Sequence, residues 1–139
     1  MRLASRLFRY RTDGPGLTDV TRDFAAFVAE EAAHEGVLQL LCRHTSASLT
    51  IQENADSDVQ VDLQAAMGRL APHDPSLYVH GVEGPDDMPA HIRTVLSGVT
   101  LSIPVMDGRL ALGTWQGVYL WEHRDRRHSR EIAASLLIG

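Results

Sequence analysis

The chain predicts an α+β fold, a single domain over residues 1–139 in which a mixed β-sheet packs against about three helices. Three observations lead there. Short apolar or alternating runs such as Val37–Cys42, Val99–Val105 and Val118–His123 have the length and composition of strands. Three other stretches repeat apolar residues at helical spacing. The order is β, α, β-β, α, α and then mostly β, which makes the class α+β with a mixed sheet.

The elements follow in turn. Arg2–Thr12 alternates loosely and opens as a strand, placed at an edge by its four arginines. Asp13-Gly14-Pro15-Gly16 is a turn by composition. Val20, Phe24, Phe27, Val28 and Ala32 recur at helical spacing between Thr18 and His34, and Gly36 supplies the stop. After the strand Val37–Cys42, the small residues around Ser46 interrupt the pattern before Leu49-Thr50-Ile51 resumes a strand. Asp56 and Asp58 are helix-cap residues ahead of Val59, Leu63, Met67 and Leu70, a second amphipathic helix. Residues 72–79 read as loop. Pro89 opens a third helix running to Gly98, because the first helical residue has no intrahelical use for its N–H. Asp107-Gly108 is a two-residue hairpin signal between the strand ending at Val105 and its return. Arg124–Arg130 is a charged turn, and Glu131–Ile138 a last strand.

Composition narrows the chemistry. Seven histidines and a net charge of −5 accompany 13 cationic residues, every one of them arginine. Without lysine there is no Schiff base, no pyridoxal-phosphate anchor and no Walker P-loop. The negative charge argues against general nucleic-acid binding, which needs a basic footprint. No apolar run is long enough to span a bilayer, the N-terminus lacks a signal-peptide apolar region, and the lone Cys42 excludes an internal disulfide. The expectation is a cytoplasmic protein with neither nucleic acid nor membrane as partner.

The stretch Gly84-Pro85-Asp86-Asp87-Met88-Pro89-Ala90-His91, with His80 just before it, is the one that packing alone does not call for. It presents a carboxylate and an imidazole together at a helix start. His44, His80 and His91 can hold a divalent metal ion with a coordination position left open, and Asp87 can serve as a fourth ligand or orient a histidine. The competing reading is three unrelated histidines in a chain that holds seven. Thr45, Ser46 and Ser48 are either an anion-holding hydroxyl cluster or a bulge that favours small residues. Gln116 is either a ligand contact or structural. Arg109, Arg124, Arg126, Arg127 and Arg130 are either an anion patch or a solvated face. Trp115, Tyr119 and Trp121 read as core or subunit contact.

Three stretches together resemble the YjbQ family: His44–Ile51 with Asn54-Ala55-Asp56, the Gly84–His91 stretch, and Leu112–Gly117 with Glu122-His123-Arg124. The likeness runs through nearly the whole chain, with Gln52 standing where an asparagine is usual. It implies a homotrimer with pockets near subunit boundaries and a metal or anion site around His44, His80 and His91. It also implies a weak, secondary thiamine-phosphate synthase activity, joining hydroxymethylpyrimidine diphosphate to a thiazole phosphate with release of pyrophosphate. On that footing His44, His80 and His91 are the expected ligands of a divalent ion, zinc the first candidate. Asp87, Gln116 and Arg124 are the expected catalytic partners of His44, while Thr45, Ser46, Ser48, Asn54 and Trp115 hold the small phosphorylated substrate. A metal-dependent phosphate-ester hydrolase and a non-catalytic trimeric binder are the alternatives.

Overall fold

A computed structural model describes residues 1–139. Its longest feature is an antiparallel ribbon: β1 (Arg2–Thr12) pairs along its full length with β8 (His128–Ile138), from Arg2↔Ile138 to Thr12↔His128. β3 (Gly36–Cys42) lies on the other side of β8. β5 (Thr100–Met106) follows, and then the short β6 (Arg109–Leu110), giving the order β1-β8-β3-β5-β6. A second sheet has the order β2-β7-β4, from Gly16–Asp19, Gln116–Glu122 and Ala47–Glu53. Three α-helices complete the fold: α1 (Thr21–Glu30), α2 (Ser57–Leu70) and α3 (Asp87–Ser97).

The class is α+β, as the sequence indicates, but the expected single mixed sheet is two sheets, antiparallel at every pairing. Two sharp corners, residues 43–46 between β3 and β4 and residues 123–127 between β7 and β8, carry the chain from one sheet to the other. The strands that each corner joins, β3 with β4 and β7 with β8, therefore lie in different sheets and do not pair with each other.

Alternation puts Leu38, Leu40 and Cys42 of β3 and Ile132, Ala134 and Leu136 of β8 on one inward face. Leu49, Val118 and Leu120 of the smaller sheet join the same buried cluster, and Phe24, Phe27 and Val28 of α1 complete it. Helix α1 is shorter than its sequence pattern. Asp19 Oδ1 accepts the Thr21 N–H at 2.9 Å, starting it late, and Ala32 at φ 52° ends it before Gly36. The residues given to its first turn belong instead to β2, an edge strand on β7. In α2 the capping reading of Asp56 holds, since its side chain accepts the Asp58 N–H. Helix α3 begins at Asp87, two residues before Pro89. Proline is tolerated there because the first four N–H groups of a helix have no intrahelical partner.

Candidate functional site

The two sheet corners lie side by side, since Ala47 of β4 faces Glu122 of β7, and the start of α3 closes over them. Asp87 in the first turn of α3 and His91 one turn on share a helix face by their i,i+4 spacing. His80 arrives on the loop before the helix. The result is a single carboxylate oxygen facing two rings: Asp87 Oδ2 lies 2.6 Å from His80 Nε2 and 3.1 Å from His91 Nε2. These three side chains bring their donor atoms within 4.8 Å of one another.

His91 and Asp87 are held from behind. The His91 Nδ1–H donates to the Thr45 carbonyl at 2.8 Å, so Nε2, turned toward Asp87, is the ring position left for a second proton or a metal ion. Asp87 is 2% exposed, and its other oxygen, Oδ1, meets Arg124 at 2.8 Å. Burial opposes the charge on Asp87, but His80, His91 and Arg124 outweigh it and hold the carboxyl below the usual range. Arg124 is fixed in turn by Asp86, whose Oδ2 accepts its Nε–H at 2.8 Å and the Asp125 N–H at 3.0 Å. Burial again works against ionisation there, and those donors still bring the Asp86 carboxyl down to about 2.

Beneath the site, Glu122 is a buried anchor. It accepts from the Arg130 guanidinium, from the Thr12 hydroxyl at 2.6 Å, and from the His123 and Arg124 N–H groups, each at 3.0 Å. Arg130 reaches on to the carbonyl and hydroxyl of Ser46, next to the Thr45 that orients His91. One carboxylate therefore braces both corners. A cavity of about 370 Å³ opens beside His91, lined by His44, Thr45, Thr94, Val95 and Val99 among others. A second of similar size lies on the other side, against His80, Tyr78 and Pro85.

The expected site residues divide. His80, His91 and Asp87 come together, with Asp87 inside the cluster rather than behind it. His44 does not join: its Nε2 accepts the Glu131 N–H at 2.7 Å, so that lone pair is occupied. The cause is local, because the β3–β8 ladder ends at Cys42↔Ile132 and the next inward N–H of β8 needs another acceptor. Arg124 is placed to orient Asp87, not to touch substrate, since Asp86, Asp87 and the Glu83 carbonyl engage its nitrogens. Ser46 is bound to Arg130, and Ser48 is fully buried with its hydroxyl 2.8 Å from His123 Nε2. Neither hydroxyl is free for an anion; Thr45 alone of that cluster lines the cavity.

Asn54, Trp115 and Gln116 gather at the opposite end of the smaller sheet. Asn54 Nδ2 donates to the Gln116 carbonyl at 3.3 Å, and Gln116 Oε1 accepts the Gly113 N–H at 2.8 Å. A rise of about 3.3 Å per residue along β7 puts Gln116 roughly 20 Å from Glu122, out of reach of the rings within one chain. The anion patch does not form either. Arg124 and Arg130 are buried and paired, Arg127 pairs with Asp13 at the surface, and Arg109 lies on the β5–β6 hairpin. Sequence reasoning missed the bracing roles of Asp86, Glu122 and Arg130. A glutamate on the same strand face as Val118 and Leu120 was the available signal, because such a carboxylate needs a buried partner.

Fold and site together define a class: small two-sheet α+β domains with an imidazole–carboxylate cluster where the sheets exchange strands. Residues 7–138 match the model of a protein family described as UPF0047 protein YjbQ-like. A UPF0047 protein of Synechocystis is 50% identical over 121 residues, covering 87% of this chain and 82% of its own. One from Methanocaldococcus jannaschii is 33% identical over 140 residues, covering 99% and 98%. A crystal structure of a YjbQ/UPF0047 protein from Clostridium acetobutylicum superposes with a TM-score of 0.84 at 32% identity, over 94% of this chain and 99% of that one. The chain belongs to the YjbQ/UPF0047 family. No helix in it is long and apolar enough to cross a membrane.

Proposed function

We propose that His80, Asp87 and His91 hold a divalent metal ion, with zinc the first candidate, and that the protein uses it on a small phosphorylated substrate. One observation carries the reading. The Thr45 carbonyl fixes one His91 proton on Nδ1, so Nε2, the position left for a second proton or a metal ion, faces a carboxylate oxygen that a second imidazole also faces. A neutral lone pair against a carboxylate is repulsive unless a proton or a cation stands between them. The separations of 2.6 and 3.1 Å are those of proton-bridged contacts. Tetrahedral bonds of about 2.1 Å give a donor–donor edge of about 3.4 Å, so a zinc ion would take the place of the bridging protons with the three side chains opening by several tenths of an ångström. An imidazole whose other nitrogen donates to a carbonyl is the usual form of a metal-ligating histidine.

Bound there, a divalent ion supplies Lewis-acid neutralisation of a departing diphosphate. The chain's own residues do the rest: His80, Asp87 and His91 bind, Arg124 and Thr45 orient them, and the cavity beside His91 receives the remainder of the substrate. No arginine lines that cavity, so anionic oxygens have the ion and uncharged donors to meet. The reaction we assign is thiamine-phosphate synthase-like, with hydroxymethylpyrimidine diphosphate as electrophile and a thiazole phosphate as acceptor. A metal-dependent phosphate-ester hydrolase is the second reading, favoured by a three-ligand set that leaves positions open to water. We further propose assembly as a homotrimer, supported by Leu3, Leu7, Leu41 and Leu137, which the larger sheet leaves exposed.

Metal content of the purified protein and of His91→Ala, with pyrophosphate release measured with and without the thiazole phosphate, tests these readings. About one ion per chain lost in the variant, with release that needs both substrates, is the expected result. Release without the thiazole phosphate selects the hydrolase. Ligand-dependent thermal stabilisation without turnover selects a binding protein. Equal metal content in both proteins refutes the centre. Light scattering at micromolar concentration decides the trimer.

A further inference from the structure

His44 was expected to ligate metal, but its Nε2 accepts the Glu131 N–H. We propose that His44 is an uncharged hydrogen-bond donor, through Nδ1–H, to an oxygen of the molecule bound in the cavity beside His91. The inference rests on the reading of that cavity as the substrate site.

The tautomer follows from the partner. A backbone N–H can only donate, so the Glu131 N–H at 2.7 Å makes Nε2 the unprotonated nitrogen and puts the ring proton on Nδ1. A second proton would have to enter at Nε2 and break that bond, turning two hydrogens toward each other. The surroundings oppose it as well, because burial and the nearby Arg130 guanidinium both lower the affinity of His44 for a proton. The Nδ1–H itself meets no protein acceptor, and it is not sealed among the buried unpartnered atoms. His44 shares the cavity wall with Thr45 and His91.

A donor of this kind has a definite use. An imidazolium would compete with the ion for anionic oxygens and would repel it, whereas a neutral ring polarises a phosphoryl or carbonyl oxygen without adding charge. Pre-setting the tautomer by a backbone N–H is the device that keeps an imidazole neutral and donating in other active sites. His44 and the exposed Thr45 hydroxyl together give a ligand oxygen two uncharged donors next to the metal ligands. That compensates for the absence of a free guanidinium in the cavity lining.

The test uses the full chain with ¹⁵N-labelled histidine, inorganic pyrophosphate as probe, and zinc present or absent. His44, assigned by the signal missing from His44→Asn, is expected as the Nδ1–H tautomer at pH 7. Zinc should move the His80 and His91 resonances and leave that of His44 in place, and pyrophosphate should then shift the His44 Nδ1–H. His44→Ala should bind pyrophosphate about tenfold more weakly at unchanged zinc content. His44→Asn, whose amide N–H stands near the lost Nδ1–H, should recover part of the affinity. An Nε2–H tautomer, direct zinc coordination at His44, or wild-type pyrophosphate affinity in a folded His44→Ala each overturns the proposal. If zinc binds none of the histidines, the metal centre fails, and the tautomer with the metal-free pyrophosphate titration still decides the role of His44.

Discussion

The buried imidazole of His123 should make this protein lose stability on mild acidification, well before its carboxylates protonate. His123 is wholly enclosed, its Nε2 lies 2.8 Å from the Ser48 hydroxyl, and its Nδ1 has no partner. Burial first, and the Arg93 guanidinium second, press its pKa from 6.5 down to about 4. The unfolded chain therefore binds a proton at pH values where the folded chain does not. Stability falls as pH drops from about 6.5 toward 4, and levels off below that for this group. At pH 5 protonation favours the unfolded state about thirtyfold more than the native one, which is RT ln 30, or roughly 2 kcal/mol. His44 adds to the loss with the same sign, since its pKa is also lowered. Asp86, Asp87 and Glu122 act elsewhere on the scale. Their carboxyls titrate below the ordinary range, so their contributions are intact at pH 5 and lost in stronger acid. Urea unfolding at pH 7.5 and 5.0, with a chelator present and ionic strength fixed, measures the difference. His123→Gln keeps a donor for Ser48 and removes the titration, so it should lose about 2 kcal/mol less than wild type between the two pH values. An equal loss in both proteins would refute the assignment.

Three further variants test the packing and the bracing of the site. Arg124→Leu leaves the buried Asp86 and Asp87 carboxylates without their cation, which should cost about 3–5 kcal/mol in urea unfolding. The same variant should bind zinc about 10–100-fold more weakly in a chelator competition, because the carboxylate loses its orientation. Gly36→Ala places a methyl group 2.1 Å from the Leu137 carbonyl oxygen, so the end of β8 must move. A loss of about 1–3 kcal/mol or more is expected, with amide exchange accelerated at the β3–β8 ends. Phe24→Ala empties the core between α1 and Phe8, whose ring centroid lies 4.7 Å away, and should destabilise by about 3–5 kcal/mol without changing metal content.

The elements that sequence reading locates are those whose neighbours merely extend a local pattern. The Asp107-Gly108 hairpin forms as expected, with positive φ at both residues, because turn chemistry is local. β2 escaped because Gly16–Asp19 has no period of its own; its structure comes from lying on β7, a partner a hundred residues away in the chain. The same distinction divides the site. Asp87 and His91 are four residues apart on one helix, so their meeting was visible in the sequence. His44 met a different fate because the decisive group, the Glu131 N–H, is freed only where β3 leaves β8. Backbone hydrogen-bond accounting across sheets has no signature in residue type.

Glu122 makes the point mechanistically. Its carboxylate gathers Thr12 from the end of β1, Arg130 from β8 and two N–H groups from the β7–β8 corner, while Arg130 extends the grip to Ser46. From this anchor one arm runs through Ser46 and Thr45 to His91 Nδ1, and the other through Arg124 to Asp87 Oδ1. Asp87 and His91 of α3 are thus oriented by the two corners between the sheets, not by the helix that carries them. A buried ion pair of this kind adds little net stability over well-packed apolar side chains. Its value here is directional, because a leucine at position 122 could fill the same space but could not fix the corner N–H groups or hold Arg130 on Ser46. That is a physical reason for a two-sheet fold to keep a charge in its interior at the place where strands change sheets.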